Sequence, residues 1–110
     1  MSKSNYLSID DFFIGITGSA GDLELSGLGT VKVRSLEALE VQQIRAQAGD
    51  NEMEMSFLSI VYGMVEPALS RDHLEQLHRA KPGVIAAITR RIMELSGMVE
   101  DSEKKVGTGS

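Results

Sequence analysis

Four groups of residues have the types and spacing that chemistry uses. Asp10 and Asp11 are adjacent carboxylates, as in acid–base pairs and metal sites. Residues 17–21, TGSAG, have the glycine content of a phosphate loop. His73 and His78 are neighbouring imidazoles, and Arg90 and Arg91 are a cationic pair. The neighbours of each group argue against that chemistry. No third ligand lies near the two aspartates in sequence. Ser8 stands three residues before Asp11, the spacing of a helix cap, and both acids suit the positive end of a helix dipole. TGSAG is followed by a strand pattern, not by Lys-Ser or Lys-Thr, so a P-loop is rejected. The histidines are five apart and fall on different faces of a helix, with no Cys or carboxylate set arranged around them, and read as surface residues, not metal ligands. Arg90 lies one turn before Glu94, a pairing of a solvated helix face. No nucleophile stands beside a base, and no dinucleotide fingerprint or zinc spacing is present. The expectation is a protein that is not an enzyme, with no catalytic residues, cofactor or metal.

The elements that position these residues belong to a short acidic chain. With 110 residues it is one domain, able to bury about two-thirds of its unfolded surface. A net charge of −5 argues against non-specific nucleic-acid binding, which needs Lys and Arg to displace phosphate counterions. Cysteine is absent, which excludes disulfides and fits a reducing compartment. No apolar run is long enough for a membrane span. The start, MSKSNYLSIDD, reaches acid before any long apolar stretch, unlike a secretory signal. A soluble cytosolic domain over 1–98, with a disordered charged tail over 99–110, is expected.

Residues 8–16, SIDDFFIGI, predict a short helix whose Phe12, Phe13 and Ile16 form one apolar patch. A β-hairpin follows over about 22–34. Leu23 and Leu25 alternate with Glu24, and Val31 and Val33 with Lys32. Setting both apolar pairs on one side places Leu25 opposite Val31 and Leu23 opposite Val33. Glu24 then faces Lys32, and Asp22 faces Arg34. The loop left over is Gly27-Leu28-Gly29, with Gly29 supplying the positive φ such loops require. Ser35 is placed as the cap of a helix running to about Ala48 and stopped by Gly49. Its apolar stripe (Leu36, Leu39, Ile44) is thin, as on a surface helix.

The helix expected over 52–65 has two apolar stripes. One holds Met53, Phe57, Ile60, Val61 and Met64. The other holds Met55, Leu58, Tyr62 and Val65. One stripe can take the core of so small a domain. The second is assigned as a partner-binding surface, for which methionine is well suited. Pro67 ends this helix and Ser70 caps a short one over 71–80. Pro82 opens the last helix, whose stripe is Val84, Ile85, Ile88, Ile92 and Leu95. The fold class is therefore mainly α: four to five helices with one N-terminal hairpin packed on them.

This order of elements resembles the tail assembly chaperones of long-tailed bacteriophages. The likeness covers about residues 6–99. It is carried by SGLGTVKVRSL, where hairpin joins helix, and by the ending LSRDHLEQLHRAKPGVIAAITRRIMELSGM. The resemblance implies a non-enzymatic protein of the host cytoplasm. It would bind the hydrophobic tape-measure protein, help recruit tail-tube subunits, self-associate, and be absent from the mature particle. It also implies a longer frameshifted form that contacts the major tail subunit, with Lys104-Lys105 as the slip position. A small cytosolic adaptor or regulatory domain that binds another helical partner is the alternative, with the same composition.

Overall fold

In the computed structural model, which describes residues 6–99, the chain begins with α1 (Ile9–Ile16). Ser8 caps it by accepting a hydrogen bond from the Asp11 amide at 3.1 Å, as the sequence predicts. The Thr17 hydroxyl closes its other end on the Phe13 carbonyl. The joint Thr17–Ser19 then leads into the sheet.

The hairpin is made of β1 (Ala20–Leu25) and β2 (Gly29–Arg34). Its register is two residues away from the expected one. Leu23 lies opposite Val31, Leu25 opposite Gly29, Gly21 opposite Val33 and Asp22 opposite Lys32. The loop is therefore Ser26-Gly27-Leu28, closed by the Leu28 amide on the Leu25 carbonyl at 2.9 Å. A shift of two keeps every side chain on its face, so the apolar pattern cannot distinguish the two registers. Three contacts outside the hairpin favour the observed one. Gly21 opposite Val33 lets a helix cross closely, since a Cβ there would lie 2.8 Å from Arg91 Nη2. Lys32 lies between Asp22 on one neighbouring strand and Glu66 on the other. Arg34 forms its ion pair with Glu40 instead of Asp22, at 2.7 Å.

Glu66 belongs to β3 (Met64–Glu66), a third strand whose Met64 and Val65 the apolar pattern assigns to the end of the preceding helix. α3 (Glu52–Gly63) ends at Gly63, where a Cβ would meet Ile92 Cδ1 at 2.6 Å. The chain then pairs antiparallel with β2, Met64 opposite Val33. The sheet order is β1-β2-β3. The domain is thus mixed, helices packed with a small antiparallel sheet of which the expected hairpin forms two strands.

α2 (Ala38–Ala48) begins two residues later than expected, with Glu37 as its cap and Glu40 Oε1 accepting from the Glu37 amide at 2.9 Å. Ser35 is not the cap. It is buried, and it clamps the joint before β1: its hydroxyl accepts from the Ser19 amide at 2.9 Å, and its amide donates to the Ser19 carbonyl at 2.8 Å. Gly49 stops α2 with a φ of 60°. After β3, Ser70 caps a 3₁₀ turn (Arg71–His73) that runs into α4 (Leu74–His78). α5 (Pro82–Leu95) closes the domain, burying Ile85, Ile88 and Ile92 as its stripe predicts. The core joins Val33 of the sheet to Leu58 and Ile60 of α3 and Ile92 of α5.

Candidate interaction surface

The stripe assigned to partner binding is divided by the fold. Leu58 is 2 % exposed and belongs to the core. Met55 and Tyr62 are half-buried. Tyr62 is engaged inside the domain, its hydroxyl 3.3 Å from Gln43 Oε1 and 3.4 Å from Arg71 Nη2. Val65 lies in β3, outside the helix, and is exposed. The four residues therefore do not form one surface. Gly27, in the loop, and Gly29, which is the first residue of β2 and not a loop residue as expected, both take positive φ, 74° and 141°. Lys104 and Lys105, and the tail from residue 100 onward, lie outside the described residues.

Of the residues read against chemistry, His78 has a carboxylate beside it that its sequence neighbours do not supply, its Nε2 lying 3.4 Å from Glu54 Oε1. Asp10 and Asp11 occupy the first turn of α1. The His73 ring accepts the Ser70 amide at 3.0 Å, while His78 stacks edge-on against Phe57 with ring centres 4.4 Å apart. Arg90 pairs with Glu94 at 3.2 Å.

A cluster of uncovered apolar residues lies on α1. Ile9, Phe12, Phe13, Ile14 and Ile16 are 45–75 % exposed, and no residue of this helix is buried. At 100° per residue Ile9, Phe12, Phe13 and Ile16 share one face, the i, i+3, i+4, i+7 spacing by which helices anchor in grooves. Phe12 and Phe13 meet edge to face, 5.2 Å between centres. The molecule measures 60 × 30 × 28 Å with a radius of gyration of 16.3 Å, against about 13 Å for a compact domain of ~100 residues. The patch was legible as Phe12, Phe13 and Ile16. Its isolation was not, because a short amphipathic helix ordinarily covers the core beside it.

A second apolar feature lies on the body of the domain. α2, α3 and the end of α5 leave a groove of about 190 Å³, walled by Leu36, Val41, Ile44, Met55, Met93 and Met98. Arg45 is its only charged lining residue, and among the described residues Arg45 has no ion-pair partner. Among the described residues the Thr89 hydroxyl, also at the groove, is buried without a hydrogen-bond partner. The wider cleft at the foot of α1 shares Leu36 with this groove. Among the described residues no helix is long and apolar enough to cross a membrane, and no three His, Cys, Asp or Glu side chains gather as metal ligands. No protein-family model, curated protein or solved structure matches the chain.

Proposed function

We propose that this protein is a non-enzymatic assembly chaperone for the tail of a long-tailed bacteriophage. It binds the tape-measure protein in the host cytoplasm, keeps it soluble and helps bring tail-tube subunits to it, then leaves before the particle is complete. The observation that carries this reading is the uncovered stripe Ile9, Phe12, Phe13 and Ile16. An apolar helix held clear of its own core is stabilised by covering apolar surface on another polypeptide. Long helical clients present such surface along their length. The resemblance in element order, described above, supplies the identity of the client.

Co-expression with the tape-measure protein that the proposal expects to be encoded immediately downstream tests it. The long protein is expected to be insoluble alone and to co-purify with this chain when both are made. A tape-measure protein that stays insoluble, with this chain recovered alone, would overturn the assignment.

A further inference from the structure

We infer that, without a client, α1 of one copy seats in the α2–α3–α5 groove of a second copy, and that the exchange is reciprocal. The anchor residues Ile9, Phe12, Phe13 and Ile16 present the spacing a groove receives. The groove, at about 190 Å³, exceeds the ~150 Å³ apolar cavity that accepts a benzene ring, so a phenylalanine ring fits it. Charge is complementary as well. α1 carries Asp10 and Asp11 and no base, whereas the groove offers Arg45, unpaired among the described residues.

The foot of α1 favours a second copy over the helix's own groove. Ser19 is bonded to Ser35 through both its amide and its carbonyl, and a Cβ on Gly18 would lie 2.3 Å from Ser35 Oγ. Thr17, extended at φ −73° and ψ 150°, joins this clamp to the helix, none of whose residues is buried against its own body. Two-fold exchange leaves the clamp intact: with Leu36 bordering both the foot and the groove, an axis beside Leu36 brings each foot to the other copy's groove. Such an isologous contact closes on itself and covers both stripes at once.

Sedimentation velocity of the full chain over a concentration series tests the exchange. The wild type is expected to pass from monomer to dimer. Phe13→Glu is expected to stay monomeric, and Arg45→Glu to shift the transition to higher concentration, while Arg45→Lys preserves it. Both altered positions are exposed, so unchanged melting curves will show that folding is intact. The decisive arm mixes the Phe13→Glu chain with the Arg45→Glu chain. One undamaged helix–groove seat remains in that heterodimer, so the mixture is expected to associate more tightly than Phe13→Glu alone. A wild type monomeric at every concentration, a dimer indifferent to Arg45→Glu, or a mixture with no gain would each overturn the inference. The assay contains no client, so a monomer that still captures the tape-measure protein removes the exchange and leaves the proposed function standing.

Discussion

At the scale of single residues, the hairpin turn depends on Gly29. Its φ of 141° is one that side-chain-bearing residues rarely adopt, and a Cβ there would meet nothing within 4 Å. Any cost of substitution therefore comes from the backbone alone. Gly29→Val is expected to destabilise the domain by about 1–3 kcal/mol, measured by urea unfolding. Equal stability would show that the turn relaxes freely. Arg34 and Glu40 make the second residue-scale case. Both guanidinium nitrogens Nη1 and Nη2 donate to Glu40, at 3.0 and 2.7 Å, and Nη1 also reaches the Ser35 carbonyl. The hydrogen bonds from Arg34 hold the Glu40 carboxyl below the ordinary carboxylate range, against the opposing effect of burial. A depressed folded pKa stabilises the native state above the unfolded value, about 4.3 for Glu, and that contribution disappears as pH falls through the folded value. The stability difference between wild type and Glu40→Gln should therefore be largest near neutrality and shrink in acid. A difference independent of pH would mean the pair acts through shape, not charge.

At the scale of elements, local signals were legible and long-range ones were not. Ser8, Gly49, Ser70 and Pro82 stand where the expected helices begin or stop, because caps and breakers act within one turn. The α5 stripe was legible because its period is regular and its Ile85, Ile88 and Ile92 are core. Register failed for a different reason. Period-two alternation is blind to a shift of two, and the contacts that select Leu23 opposite Val31 come from Arg91 and Glu66, 60 and more or 30 and more positions away in a chain of 110. The start of α2 moved because Ser35 found a partner in Ser19 across the sheet. β3 was missed because Met64 and Val65 continue the apolar pattern of α3 without interruption, and only strand pairing to Val33 separates them. The partner stripe followed the same limit. Periodicity placed Met55, Leu58, Tyr62 and Val65 on one helix face, but the end of α3 at Gly63 puts Val65 on a strand and the core takes Leu58. Apolar residues on α1 contribute nothing to that core. The melting temperature of Phe13→Glu should accordingly match that of the wild type under dilute conditions.

At the scale of the whole molecule, the body can close its own core, and the excess apolar surface is concentrated on the projecting α1. Working surface and folded core are thus separate, so one can change its contacts without unfolding the other. The account requires that α1, and not α3, be the element covered on binding. Amide hydrogen exchange decides this most directly, in protein dilute enough to be monomeric, with and without the tape-measure protein. Exchange over residues 9–16 is predicted to be fast in the free chain and many-fold slower in the complex, with α3 unchanged. Fast exchange of α1 in a complex whose protection appears over α3 would contradict it.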